Sequence, residues 1–227
     1  MRSIRSWMVW SVTVAALTSA ASGQAPPVDV PRASTIVVDG TWAQPEWAGA
    51  ALQRSAHVRI AVTTADGFLQ IGLRTPPLFV ASLCIEQGDT VRVFHASAAL
   101  GRATYVRTGE QWRLTEDFEW RLRRTDLGPE AAAERMEHRS RSGWVASTVD
   151  MGVPGETEFQ ISLDYLPASQ PRIALGLMLG GATAVVQGWP IAAEEDGCTL
   201  EAVIAGSPPG RVRFDATRWA RLVIATP

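Results

Sequence analysis

The sequence contains no lysine and no asparagine, and only three histidines among its 227 residues. Without lysine the chain cannot form a Schiff base, and without asparagine it has no N-glycosylation site. The histidines stand in no H-E-x-x-H or similar metal-binding spacing, and no G-x-S-x-G nucleophile elbow occurs. Because the common hydrolase motifs are missing, we predict that the protein is not an enzyme.

The chain also lacks an excess of positive charge. All 21 basic residues are arginine, and 23 acidic residues bring the formal net charge to −2. The arginines are scattered among acidic residues along the chain, whereas binding to nucleic acid requires a basic patch that displaces counterions. We therefore predict no nucleic-acid partner.

No apolar run reaches the length of about 20 residues that a membrane-spanning helix needs. An uncharged run at residues 7–17 follows Arg2 and Arg5 and precedes the small residues 18–23. This order is typical of a cleavable secretory signal. We predict a signal peptide at residues 1–23, an extended lead-in at 24–35 and a single domain at 36–227. The mature protein is predicted to be secreted or periplasmic, with no membrane insertion after cleavage.

Cysteine is scarce, with Cys84 and Cys198 as the two examples. They are far too distant in sequence for a C-x-x-C metal or redox motif. In an oxidising compartment we predict one disulfide between them, with two buried unpaired thiols as the alternative.

Alternating apolar residues predict a series of short strands. Val58, Ile60 and Val62 precede the turn pair Asp66-Gly67, and further hairpins are predicted at residues 87–89 and 109–110. Later strands are predicted at residues 144–149, 158–163, 173–179, 184–187, 200–204 and 220–225, and short helices at 45–51 and 129–138. The pattern indicates an all-β fold, an antiparallel β-sandwich of jelly-roll type with one or two short helices.

Residues 36–47 read Ile-Val-Val-Asp-Gly-Thr-Trp-Ala-Gln-Pro-Glu-Trp. Gly40 suits a sharp turn after a strand, the Asp39 carboxylate suits a cap for that turn, and Trp47 can close the open end of a sandwich. We predict a structural role for these three residues.

The same segment resembles the opening of family 9-like carbohydrate-binding modules, which share the DOMON-like β-sandwich. Residues 158–163 and 219–224 are similar to later strands of that family. The resemblance implies a non-catalytic domain that binds a saccharide or polysaccharide.

Saccharide binding commonly uses an exposed aromatic ring against the face of a sugar, surrounded by groups that satisfy the hydroxyls. Trp112, Trp120 and Trp189 follow or occupy predicted turns and polar strands, and they are the predicted ligand-binding residues. The predicted partner is a carbohydrate polymer or another component of the cell envelope.

Two alternatives stay open. The domain could be an interaction or accessory subunit of an envelope assembly, or a DOMON-type haem protein with iron held by a His/Met pair. Candidate ligands of that iron are His57, His95, His138, Met136, Met151 and Met178. No cofactor is predicted. Two acidic groups are interpreted as solvent-facing loops or as ligands of a structural Ca²⁺ ion, namely Asp117 with Glu119 and residues 194–196.

Overall fold

The structure is a computed structural model that describes residues 25–43, 45–55, 58–77, 79–97, 99–118, 121–122, 129–147, 155–166, 170–179, 185–190 and 196–225. The predicted signal peptide, Trp120, His57 and Met151 lie outside the described residues.

Strands dominate the described residues. They are β1 (Val28–Val30), β2 (Ala51–Ser55), β3 (Val58–Ala65), β4 (Phe68–Thr75), β5 (Phe79–Gln87), β6 (Thr90–Ala96), β7 (Ala99–Thr108), β8 (Gln111–Glu116), β9 (Arg121–Leu122), β10 (Trp144–Ala146), β11 (Gly155–Ser162), β12 (Arg172–Leu179), β13 (Val185–Trp189), β14 (Arg211–Val212) and β15 (Ala220–Ile224). The α-helices are α1 (Pro129–Ser142) and α2 (Glu201–Ile204), and short 3-10 turns occupy Leu163–Tyr165, Gly197–Thr199 and Ala216–Arg218.

The strands form two sheets. One has the order β10-β11-β4-β3-β2, and the other the order β1-β15-β12-β5-β6-β7-β8-β14, with β13 paired to β12 and β9 to β7. All pairings except the parallel β1–β15 pair are antiparallel among the named strands. The predicted all-β sandwich with short helices is confirmed.

The main core lies between the sheets. Apolar residues that alternate along the strands meet in one cluster. Examples without solvent exposure are Ile60 and Leu69 of the five-stranded sheet and Leu83 and Leu175 of the ten-stranded sheet. Burial of side chains on one face of each strand follows from the period of two residues. This cluster is the layer that holds the sheets together.

Each sheet is also covered on its outer face. Residues 36–50 and α1 cover the five-stranded sheet, where Trp47 and Ala61 belong to a second apolar cluster. The segment from Cys198 to Trp219 covers the ten-stranded sheet and forms a third cluster with β5 to β8. The predicted disulfide between Cys84 and Cys198 is present and attaches this C-terminal cover to β5.

Some local predictions are wrong. Residues 45–49 form turns instead of a helix, and the chain continues directly into β2. The apolar residues 200–204 form α2 instead of a strand. The three predicted hairpins are found, but they do not follow one another in one sheet, since β3–β4 belongs to the five-stranded sheet and β5–β6 and β7–β8 belong to the ten-stranded sheet. The predicted helix at 129–138 is found and extends to Ser142.

None of the helices in the described part of the chain combines the length and the apolar character needed to cross a membrane.

Candidate functional site

A cavity of about 690 Å³ opens at one edge of the ten-stranded sheet. Its lining comes from the end of the β7–β8 hairpin and from the segment after β14. The lining residues are Arg107, Gly109, Glu110, Arg213, Phe214, Asp215 and Arg218. We call this cavity the arginine cleft. Two other cavities are smaller, at about 240 and 190 Å³.

Three arginines, Arg107, Arg213 and Arg218, line the arginine cleft. Among the described residues, no ion pair joins Arg107, Arg213 or Arg218 to an acidic side chain. The guanidinium of Arg107 instead lies over the ring of Trp112, 5.3 Å from the ring centroid. A guanidinium stacked in this way keeps its N–H groups available for hydrogen bonds in the plane of the guanidinium group.

The floor of the arginine cleft is an aromatic cluster centred on Phe214. The Phe214 ring makes edge contacts with Tyr105 at 5.2 Å, with Trp112 at 5.9 Å and with Trp219 at 5.7 Å between centroids. Burial raises the pKa of the Tyr105 phenol, whose hydroxyl donates to the Pro209 carbonyl at 3.0 Å. The four rings pack edge to face through Phe214, which is the one of them in the described cleft lining.

A buried carboxylate, Asp196, holds the cleft-lining segment in place. Its Oδ1 accepts the backbone N–H groups of Cys198 at 3.4 Å and Asp215 at 3.3 Å, and its Oδ2 accepts the indole N–H of Trp219. Burial raises the pKa of Asp196, and these N–H donors partly offset that effect. Asp196 is only 4% exposed. The prediction of a solvent-facing acidic loop at residues 194–196 is therefore wrong for Asp196. Residues 194–195 lie outside the described residues.

No family model and no curated protein matches this chain. One solved structure that resembles it is a putative carbohydrate-binding protein from Bacteroides uniformis. The two chains share 11% sequence identity, with a TM-score of 0.46, and the match covers 88% of this chain and 99% of the other. The resemblance to family 9-like modules stays a prediction.

The predicted sugar-binding tryptophans do not form one exposed aromatic surface. Trp112 is 2% exposed and belongs to the cluster on the outer face of the ten-stranded sheet. Trp189 is 5% exposed and belongs to the core between the sheets, on the opposite face. Trp120 lies outside the described residues. The prediction assumed that Trp112 and Trp189 expose a ring face for stacking on a sugar. Both rings are instead buried.

The Asp-Gly turn of the opening segment is bound to another buried carboxylate, Glu158. Its Oε2 accepts the N–H groups of Asp39 at 3.0 Å and Gly40 at 2.9 Å, and its Oε1 accepts the indole N–H of Trp47 at 3.2 Å. The Asp39 side chain caps the turn by accepting the Thr41 N–H at 2.8 Å. Gly40 has a φ of +87°, a conformation that favours glycine.

Trp47 lies flat on the outer face of the five-stranded sheet, not at the open end of the sandwich as predicted. It is 4% exposed, and a β-carbon at Gly72 of β4 would come within 2.8 Å of its ring. Only a residue without a side chain leaves room for the indole at this point. The ring therefore joins the opening segment to the sheet.

Candidate haem ligands with described surroundings include His95, His138 and Met136. Both ring nitrogens of His95 lie near serines, with Nδ1 3.2 Å from Ser82 Oγ and Nε2 2.9 Å from Ser97 Oγ. His138 is buried against Trp144 with ring centroids 5.6 Å apart, and Met136 is exposed. Within the described residues, no three His, Cys, Asp or Glu side chains are grouped to hold a metal ion. A haem group and a structural Ca²⁺ ion stay the alternatives that the sequence left open.

Sequence reasoning missed the cleft arginines and the two buried carboxylates. The alternation of exposed Arg211 and Arg213 around buried Val212 is a local signal of a half-buried strand carrying positive charge. No local signal joins that strand to Arg107, because the two segments meet through contacts between residues distant in sequence, such as the β8–β14 pairing. Glu158 begins a segment that is predicted as a strand, but its backbone partners Asp39 and Gly40 lie 119 and 118 residues earlier in the chain.

Glu158 makes stability depend on pH. Burial raises its pKa to about 7 from an ordinary value of 4.5, and the N–H donors of Gly40, Trp47 and Asp39 offset only part of that effect. Between these values the folded protein keeps a proton that the unfolded chain releases. The stabilisation from protonated Glu158 is fully present below pH 4.5 and is lost as the pH rises through about 7.

Between pH 5 and pH 8, we expect the free energy of unfolding of the wild type to fall by about 2 to 3 kcal/mol more than that of Glu158→Gln. Urea unfolding of both proteins at each pH measures the difference. His95, whose pKa burial lowers to about 4, acts in the opposite direction but is common to both proteins and cancels. Parallel pH profiles of the two proteins would contradict the assignment.

Proposed function

We propose that this protein is a non-catalytic saccharide-binding domain that works in the periplasm or outside the cell and binds its ligand in the arginine cleft. The observation that supports it is an open cavity lined by three arginines that form no ion pair with a described carboxylate. The predicted export signal and the Cys84–Cys198 disulfide support an oxidising, extracytoplasmic setting.

The chemistry of the lining suits a polyhydroxylated ligand. The arginines supply hydrogen-bond donors, and the carboxylates of Glu110 and Asp215 supply acceptors, so that both functions of a sugar hydroxyl can be satisfied. Phe214 contributes an apolar surface at the base of the cavity. The arginine cleft shares a concave shape and convergent polar groups with small-ligand sites, and it differs from most of them in having a lining that is mainly polar.

The test is retention of the exported protein on a panel of insoluble polysaccharides and peptidoglycan. The cleft double variant, Arg213→Ala with Arg218→Ala, is compared with the sheet double variant, Arg54→Ala with Arg59→Ala. Arg54 and Arg59 are exposed, face each other on β2 and β3 of the other sheet, and give the same change in net charge.

We expect the wild type and the sheet double variant to be retained on at least one polymer, and the cleft double variant to be retained at least about tenfold less, since hydrogen bonds from charged donors are lost. Trp120→Ala, tested on the same polymer, checks the remaining predicted tryptophan. Retention on no polymer would overturn the proposal and favour an interaction subunit. Equal loss in both double variants would place binding outside the arginine cleft.

A further inference from the structure

The arginine cleft is positively charged although the whole chain is slightly acidic. Among the described lining residues, three guanidinium groups face the two carboxylates of Glu110 and Asp215, in a protein with a formal net charge of −2. Glu86, which is ion-paired with Arg172, also acts on Arg107 from outside the lining. The Asp215 carboxylate accepts the Thr217 hydroxyl through Oδ1 at 2.6 Å and keeps its negative charge, so the described lining carries an excess of one positive charge. The sequence scatters its arginines, but the fold gathers three of them around one cavity.

Four of the other described arginines have acidic partners, whereas Arg54 and Arg59 on the other sheet, like the cleft arginines, have none among the described residues. Ion pairs join Arg74 to Glu156 at 2.7 Å, Arg102 to Glu116 at 3.9 Å, Arg141 to Glu137 at 3.8 Å and Arg172 to Glu86 at 3.6 Å. The arginines of the cleft form no such pair with a described residue. Guanidinium groups bind planar oxyanions with two parallel hydrogen bonds, so the cleft is suited to an anion that comes from outside the chain.

The cleft is also organised before any ligand binds. Trp112 supports the Arg107 guanidinium, and Asp196 fixes the backbone at Asp215 and the ring of Trp219. Groups that are already ordered lose less conformational entropy on binding, which favours affinity. Trp112, predicted to stack on a sugar, is here a positioning residue for Arg107.

We infer that the ligand of the arginine cleft is an acidic saccharide, whose sugar rings carry carboxylate or sulfate groups. This inference rests on the proposed saccharide-binding function and specifies its ligand. The arginines bind the acidic group, while Glu110 and the backbone at Gly109 lie where neighbouring hydroxyls can be bound. A neutral saccharide leaves the guanidinium groups without an anionic partner and binds more weakly.

The first experiment compares two polymers that differ only in charge. Polygalacturonate and its fully methyl-esterified form share one backbone, and esterification replaces each carboxylate with a neutral group. Binding of the exported protein to soluble oligomers of each is measured by calorimetry, together with dextran sulfate against dextran for the sulfate group. We expect the charged member of at least one pair to bind about tenfold or more tightly than its neutral partner.

The second experiment assigns the preference to the cleft. With the charged polymer, the cleft double variant is expected to lose at least about tenfold in affinity, whereas the sheet double variant is expected to lose less than about twofold. Poly-glutamate serves as a polyanion that is not a saccharide and is expected to bind more weakly than the charged polymer. Circular dichroism of each variant checks that the fold is retained.

The outcomes separate the inference from the proposed function. Equal binding of charged and neutral members, with binding still lost in the cleft double variant, overturns the acidic preference and keeps the saccharide site. Binding of poly-glutamate as tight as that of every charged saccharide overturns the saccharide function itself. Equal losses in the two double variants overturn the inference, because binding would then reflect net charge and not the cleft.

Discussion

Replacing Cys84 and Cys198 together with alanine is expected to lower the free energy of unfolding by about 4 kcal/mol. The disulfide closes a long loop, with a sequence separation of 114, and cross-links that close long loops restrict the unfolded chain most in the entropy model. Both cysteines are fully buried, and the bond attaches the C-terminal cover to the middle of the ten-stranded sheet. Guanidinium unfolding of the wild type and the double variant measures the difference.

Chemical reduction supplies the control for this prediction. A reductant should move the unfolding midpoint of the wild type to that of the double variant and should leave the double variant unchanged. A midpoint that reduction does not move would contradict a stabilising role for the bond. Because Asp196 joins the N–H groups of Cys198 and Asp215, the reduced protein should also bind its ligand in the arginine cleft more weakly.

The strands were predictable wherever alternation is regular and turn residues mark its ends. Val58, Ile60 and Val62 alternate up to the turn at Asp66 and Gly67, and the structure gives β3 and β4 at this place. Residues 173–179 are likewise predicted and form most of β12. In these segments the pattern that specifies the local structure is also the one that buries the core.

The short apolar segment at residues 200–204 is predicted as a strand, but residues 201–204 form the helix α2. A run of this length has no periodicity that separates a strand from a helix. The chain instead follows the 3-10 turn Gly197–Thr199, which the disulfide and Asp196 fix in place, and continues as α2 with Val203 and Ile204 buried. The deciding contacts come from β5 and from residue 215, so the local sequence could not contain them.

The candidate site could not be predicted for a related reason. Trp112 stands between exposed Gln111 and Arg113 in β8, a pattern that fits a buried ring as well as an exposed one until the other face of the sheet is known. Once the segment after β14 covers that face, the tryptophan becomes part of a floor and the arginines become the accessible groups. Residue type alone pointed to Trp112, but not to the arginines that line the arginine cleft.

Two distant tryptophans are held in the same way, which the sequence does not reveal. Trp47 donates its indole N–H to Glu158, and Trp219 donates to Asp196. Each carboxylate also accepts two backbone N–H groups from a segment that covers a sheet. Charge-assisted hydrogen bonds of this kind are stronger than neutral ones, and they attach both outer layers to the sandwich.

Replacing Trp47 with alanine is therefore expected to lower the free energy of unfolding by about 3 to 5 kcal/mol. The change empties the space above Gly72 and removes one donor from a buried carboxylate, so that a cavity and an unsatisfied charge act together. Trp47→Phe keeps an aromatic ring but has no N–H group, and its smaller loss, about 1 to 3 kcal/mol, measures chiefly the missing hydrogen bond.

The comparison is made by urea unfolding at pH 8, where Glu158 is mostly ionised in the folded protein because its pKa is about 7. At pH 5 the carboxyl group is protonated and makes a weaker acceptor, so the loss from Trp47→Phe should shrink while most of the loss from Trp47→Ala remains. An unchanged midpoint for Trp47→Ala at both pH values would show that the opening segment does not stabilise the fold. Equal losses for the two variants would show that the indole hydrogen bond, and not the packing on Gly72, accounts for the effect.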